Sequence, residues 1–167
     1  GYQWSFNEAI QQLKADILHG DFGAPRRLRT LVLWPRTEAY YGRNGWAGAR
    51  ADAQGNLILD SPVNNATAHC LHNMFYVLGE RIDRSAMPVR VSAELYRANP
   101  IDNYDTGVCR AVTDRGVEVY FYASHTVPEV RGPEFVYEFE QGTVSYGGRA
   151  SHITARLTDG STRTYGD

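Results

Sequence analysis

Lysine is nearly missing from this chain. One residue, Lys14, stands against sixteen arginines in 167 residues. The arginines are scattered, which reads as codon bias, and the scarcity leaves almost no lysine to serve as a catalytic base. Cysteine is scarce as well, with only Cys70 and Cys109. Both lie among apolar neighbours, so two buried, reduced thiols in a cytoplasmic protein are expected rather than a disulfide framework. No apolar run approaches the ~20 residues that a bilayer-spanning helix needs, and no signal-peptide pattern is present. No strand–Gly-x-Gly-x-x-Gly–helix occurs, since Gly45-Trp46-Ala47-Gly48 lacks that spacing. The formal net charge is −2 with both signs interspersed. That balance argues against a nucleic-acid or anionic-membrane surface. There is no internal repeat, linker or low-complexity segment.

What is present fits one domain with a sizeable core. Ser5-Phe6-Asn7-Glu8 reads as a capping box, and Phe6, Ala9, Ile10, Leu13 and Ile17 keep helical spacing up to Gly20. Leu28 to Trp34 reads as a strand that Pro35 ends. Residues 37–55 are the least regular region, with glycine, arginine and aromatics interleaved without a period. Arg36, Arg43 and Asn44 are candidate donors there, beside the rings of Tyr40, Tyr41 and Trp46. Those rings offer stacking surfaces; packing under an Ω-loop accounts for them as well.

The stretch from Asp60 to Gly79 reads as one central helix. Asp60 or Ser61 caps it, Pro62 takes the first position, and Gly79 closes it in the left-handed conformation. Cys70, Met74, Val77 and Leu78 form its core side, with Leu71 and Phe75 beside them. Asn65, His69, His72 and Tyr76 stack on another face, one of amides, imidazoles and a phenol. Beyond it the chain turns to strands. Val89, Val91, Ala93 and Leu95 alternate with polar residues. Asp114-Arg115-Gly116, Gln141-Gly142 and Asp159-Gly160 mark hairpin turns between later strands. The expectation is an α+β fold: a largely antiparallel open sheet, helices packed on one face, the other face available for oligomerisation. The rows Val89, Val91, Ala93, Leu95 and Val117, Val119, Phe121, Ala123 should face the helices. The opposite rows carry Tyr96, Tyr120 and Tyr122, whose rings suit a homodimer or homotetramer interface; tyrosines covering one another in a monomer are the alternative.

Several segments in this order resemble the C-terminal domain of the glucose–fructose oxidoreductase and inositol dehydrogenase (Gfo/Idh/MocA) family. They are the opening helix into Gly20-Asp21-Phe22-Gly23-Ala24-Pro25, the block from Trp34-Pro35-Arg36 to Trp46-Ala47-Gly48, the central helix, and Ala93-Glu94-Leu95-Tyr96-Arg97-Ala98-Asn99 with Asp105-Thr106. The resemblance runs over nearly the whole chain. It implies that residues 1–167 are a single substrate-binding and oligomerisation domain of an NAD(P)-dependent oxidoreductase acting on a sugar, cyclitol or related polyol. The NAD or NADP would be bound by a Rossmann domain that is not in this chain, and the chain alone is expected to bind none. An opening of Gly1-Tyr2-Gln3-Trp4 is likewise expected of a domain excised from a longer protein. The family's catalytic lysine belongs to the missing half, and Lys14 is no substitute for it.

The resemblance also assigns the acid/base role to His69. The family's aspartate, four residues earlier, is Asn65 here. An amide can hydrogen-bond a substrate hydroxyl but cannot take its proton. His72 and His125 join the substrate-binding candidates, although His72 would equally cap polar neighbours and His125 would equally be a strand-end surface residue. His69 and His72 can share a face and His125 tempts as a companion, but no motif places a carboxylate or third ligand with them, so no metal is expected. A non-catalytic binding or assembly domain that kept the fold is the alternative to the oxidoreductase, and Asn65 suits it.

Overall fold

Helix α1 (Glu8–His19) carries Ala9, Ile10 and Leu13 to the core at helical spacing. The computed structural model, which describes residues 2–166, gives its cap to Asn7, whose Oδ1 accepts from Ile10 N at 3.4 Å. The expected Ser5 capping box does not form. Gln3–Phe6 is a 3-10 turn instead, Ser5 is buried and engaged elsewhere, and Phe6 is exposed. Two oxygens two residues apart competed for one helix start, and the nearer took it. Gly20 ends the helix at φ 94°, as expected.

Eight strands form one sheet: β1 (Pro25–Leu33), β2 (Pro88–Tyr96), β3 (Thr106–Thr113), β4 (Glu118–Ser124), β5 (Arg131–Phe139), β6 (Gly142–Tyr146), β7 (Ile153–Leu157) and β8 (Thr162–Tyr165). Their order is β2-β3-β4-β1-β5-β6-β7-β8. Only the central β1–β4 pair is parallel; every other pairing is antiparallel. Short turns join β3 to β4, β5 to β6 and β7 to β8, while β1 enters the middle of the sheet, between β4 and β5, from the helical first half. α2 (Glu38–Tyr41) is a single turn, and α3 (Ala68–Val77) follows a π-helical turn over Pro62–Ala66.

The core lies between α1, α3 and one sheet face. Leu28 and Val32 of β1, Val119 and Phe121 of β4, and Tyr137 of β5 meet Leu13, Met74 and Val77 with essentially no exposure. Each such side chain contributes about 1.5–3 kcal/mol of transfer free energy. The row on β4 packs as expected. The row on β2 does not: Val89, Val91 and Leu95 are 67, 62 and 51% exposed. α3 lies over β1 and α1 toward β8, and the edge strand β2 is beyond their cover, exposed along its length. Alternation identified an apolar face without saying whether a helix would reach it.

One further expectation, for Gly79, is corrected, and one burial carries no signal in the sequence. Lys14 is fully buried. Its Nζ donates to the Arg84 carbonyl and sits 3.9 Å above the Tyr76 ring. Burial pulls its amine down to about 8. Gly79 is not left-handed. α3 runs out through Leu78 at φ −83°, and Gly79 is needed for space, because a Cβ there would lie 1.9 Å from the Arg84 carbonyl oxygen. The loop from 80 to 86 folds back tightly on the helix end, and Lys14 holds it from below.

Candidate functional site

The parallel ladder of β1 and β4 continues past the strands. Trp34 N donates to Ser124 O at 2.9 Å and Arg36 N to His125 O at 3.0 Å. Arg36 and His125 are thereby set side by side at the carboxyl ends of the two central strands. His125 is 4% exposed, and its Nδ1 lies 2.7 Å from the Trp34 carbonyl. A carbonyl only accepts, so Nδ1 carries the proton and Nε2 is left as an acceptor. Burial lowers the imidazole's pKa, the nearby Arg36 adds to this, and the carbonyl opposes it.

The irregular segment builds an aromatic–cationic wall over this end. The Arg36 guanidinium lies 4.9 Å and that of Arg43 3.9 Å from the Tyr40 ring centroid, and Arg43 also lies 5.1 Å from the Trp46 ring. Arg36 Nε is buried with no protein partner, and so is Tyr41 Oη. Burial first, then the Asp105 charge, pushes the Tyr41 phenol up to about 12. Asn44 is differently employed: its Oδ1 accepts from Trp46 N and Ala47 N at 3.1 and 2.8 Å, which shapes the turn.

Asn65 and His69 do not sit on one unbroken helix. Ser61 Oγ caps the π-helical turn by accepting from Asn64 N, and Thr67 closes it through Pro62 O. Thr67, at φ −112°, separates the turn from α3. The four-residue spacing therefore crosses a change of helical pitch, a device frequent at functional sites. His69 Nδ1 is buried without a protein partner. That leaves Nε2 as the nitrogen a ligand can reach.

His72 is held at both nitrogens, Nδ1 3.1 Å from Ser5 Oγ and Nε2 3.3 Å from Ser85 Oγ. Tyr2 stacks on its ring at 4.3 Å and meets His69 edge-on at 5.8 Å. Burial lowers the His72 pKa, and the Lys14 charge adds to it. Beside this pair a groove of about 610 Å³ runs between α3 and β2, with Leu71, Phe75 and Leu95 as its apolar wall and Asn64, Asn103 and Tyr104 as its polar one. The larger hollow, about 780 Å³, lies on the open sheet face around Tyr122 and Arg131.

The expected site residues thus fall into two groups. Arg36, Tyr40, Tyr41, Arg43, Trp46 and His125 form one; His69 and His72 under Tyr2 form the other. Asn65 connects with the first through Asp60, whose carboxylate takes Asn65 Nδ2 at 2.6 Å and Gly48 N at 2.7 Å. Sequence reasoning treated Asp60 only as a possible cap. It also missed Asp105, whose oxygens take Ala98 N, Asn99 N and Asn99 Nδ2 and so fold the loop before β3. An aspartate amid asparagines near a helix start was the available signal for Asp60.

The model of the GFO/IDH/MocA C-terminal domain matches residues 10–145. The chain belongs to this family. As a GFO/IDH/MocA C-terminal domain it is similar to the WlbA dehydrogenase from Bordetella pertussis, solved with NADH and UDP-GlcNAcA. The identity is 26% and the TM-score 0.70, over 86% of this chain and 40% of that one. An inositol dehydrogenase homologue from Azotobacter vinelandii, complexed with NAD+, shares the fold at 13% identity and TM-score 0.75, over 98% of this chain and 42% of that one. So does an aldose-aldose oxidoreductase from Caulobacter crescentus, at 17% and 0.73, over 99% and 46%. The chain spans less than half the length of these proteins. A search of curated proteins found no match.

Neither the start of α1 nor that of α3 suits the pyrophosphate of a dinucleotide. Helix α1 opens on Asn7 and the acidic Glu8, which would repel a pyrophosphate, and the start of α3 is closed by Thr67 with its bonds to Pro62 O. Among the described residues no group of three or more histidines, cysteines or acids is placed to hold a metal ion. Among the described residues no helix is long and apolar enough to cross a membrane.

Proposed function

We propose that this domain supplies the substrate-binding and acid/base residues of an NAD(P)-dependent oxidoreductase acting on a sugar, cyclitol or related polyol. The observation that carries the reading is His69, half-buried on the family's central helix with Nδ1 enclosed and Nε2 left to a ligand. The dehydrogenase bound to NADH and UDP-GlcNAcA, similar over most of this chain, supports the substrate class. The cofactor supplies hydride chemistry and is held by sequence outside this chain. His69 Nε2 takes the proton of the reacting hydroxyl as general base. Asn65 orients that hydroxyl. Tyr40, Tyr41 and Trp46 offer ring faces to the sugar, and Arg36, Arg43 and the acceptor Nε2 of His125 offer polar contacts. Asn44 within this wall and His72 beside His69 act as supports, given the bonds they already make.

The open sheet face is proposed to join copies into a homodimer or homotetramer. Tyr120 and Tyr122 lie half-buried there among Arg27, Arg29, Glu118 and Glu138, whose ion pairs cross neighbouring strands. Free thiols suit the cytoplasm.

The test is NAD(P)-linked turnover by the full-length protein over a panel of aldoses, cyclitols and nucleotide sugars, with calorimetry of NADH against residues 1–167 alone. Turnover of at least one polyol, with no saturable NADH binding by the short chain, is expected. No cofactor-linked turnover on any of them would hand the domain to the non-catalytic reading, which the inability of Asn65 to accept a proton favours.

A further inference from the structure

We propose that Asp60 is a positioning residue of this site. Its buried carboxylate holds the Asn65 amide with the carbonyl oxygen turned outward, and supplies from the preceding loop the negative charge that position 65 lacks. The proposal rests on the oxidoreductase reading for its functional consequence.

Asp60 is 6% exposed, whereas Asn65 is exposed. A carboxylate only accepts, so the Asn65 atom 2.6 Å from Asp60 Oδ1 must be the amide nitrogen. Chemistry thereby decides an orientation that amide shape alone leaves open. Among the described residues no protein donor reaches Asn65 Oδ1, so an acceptor is what Asn65 presents to a ligand. A hydroxyl that donates to that oxygen is then oriented by it.

The holder is itself over-determined. Asp60 N donates to Ala49 O at 2.9 Å, Asp60 O accepts from Asn103 Nδ2 at 2.9 Å, and Asp60 Oδ2 takes Gly48 N. The residue before it, Leu59, is the one non-glycine with a left-handed backbone among the described residues, at φ 55°. Asn64 Nδ2 ties down the Leu59 carbonyl at 3.0 Å. Strain of this kind persists only where surroundings enforce it, and it gathers at functional sites. A purely structural aspartate would explain the bonds to Gly48 and Asn103. It would not explain a second oxygen spent on an exposed amide that water could satisfy.

The geometry inverts the obvious experiment. Asn65→Asp restores the family's residue, but it sets two carboxylates at the 2.6 Å contact, where they cannot both ionise. The swap Asp60→Asn with Asn65→Asp rebuilds one carboxylate and one amide. We would compare wild type, both single variants and the swap. On residues 1–167, heteronuclear NMR reads the carboxyl titrations and the side-chain amide protons. Asn65→Asp should show a carboxyl titrating about one to three units above the ordinary range, and the swap should return it to normal with one slowly exchanging carboxamide. In the full-length enzyme kcat should fall about tenfold or more in each single variant with KM less affected, and return to within about threefold in the swap. An ordinary titration in Asn65→Asp, or wild-type kcat in Asp60→Asn, would overturn the proposal. Should the full-length protein turn over no polyol, the oxidoreductase reading fails, and the NMR arm alone decides whether Asp60 holds Asn65.

Discussion

Replacing Lys14 by methionine tests the most unusual charge in the fold. The wild-type ammonium is fully buried, with the Arg84 carbonyl as its acceptor and the Tyr76 ring 3.9 Å below it. Its pKa falls from 10.5 to about 8, which corresponds to about 3 kcal/mol against the charged form. Below about pH 8 the amine is charged in both folded and unfolded chains, and the full penalty is carried. Above that, the folded chain sheds the proton while the unfolded chain keeps it to about pH 10.5, so stability rises with pH. Between pH 7 and about pH 9.5 the gain should reach about 2 kcal/mol. Burial raises Cys70, to about 12, and Cys109, so both act the other way as unfolded thiols begin to ionise. Subtracting Lys14→Met from wild type cancels them, because the variant keeps both thiols. Methionine preserves most of the stem but strands the Arg84 carbonyl, so the level at pH 7 is set by two opposing terms of about 1–3 kcal/mol. The slope is the test. Urea unfolding followed by circular dichroism should show wild type gaining on the variant by about 2 kcal/mol over that range. A difference that stays flat would mean that water reaches the amine and that the burial argument is wrong.

Gly79→Ala should destabilise by about 3 kcal/mol in the same melts, since the Arg84 carbonyl 1.9 Å from the new Cβ is backbone held by Lys14 and cannot simply swing away. In the full-length enzyme His69→Ala should lower turnover by about a hundredfold with the fold intact, whereas Cys70→Ala should leave turnover and cost about 1–2 kcal/mol of stability; the reverse pattern would move the chemistry to the wrong residue. Tyr120→Glu with Tyr122→Glu should give a monomer by light scattering, and an unchanged particle mass would free the open face of its proposed role.

The hairpins were legible because their signals are local. Asp114-Arg115-Gly116 turns β3 into β4 with Gly116 at φ 78°, and Asp159-Gly160 turns β7 into β8 with Gly160 at φ 89°, both as residue chemistry demands. Coverage is not local, and there the reading failed. The β2 row Val91, Ala93 and Leu95 has the same pattern as the β4 row Val119, Phe121 and Ala123, and continues its face through β3. One is exposed and the other buried because α3 ends up over β1, a fact encoded by packing between segments distant in sequence.

The central helix shows the same limit within a single element. Periodicity of 3.6 predicts that Asn65 and His69 share a face, and it has no symbol for one turn of wider pitch. That turn sets the Asn65 amide 2.6 Å from the carboxylate of Asp60, five residues back. The burial of Lys14 was not legible for a related reason. On a helical wheel a lone lysine belongs with the solvent, yet the carbonyl and the ring that accept it come from residues 84 and 76, far along the chain. The residue types of the site were therefore readable, since imidazole, amide and guanidinium announce their chemistry. Which of them are free was not, because His72 and Asn44 are occupied by serine hydroxyls and turn amides that only the assembled fold brings to them. A side chain's availability is a property of its neighbours, and in this domain the least conspicuous neighbour, Asp60, settles what the exposed Asn65 has left to offer.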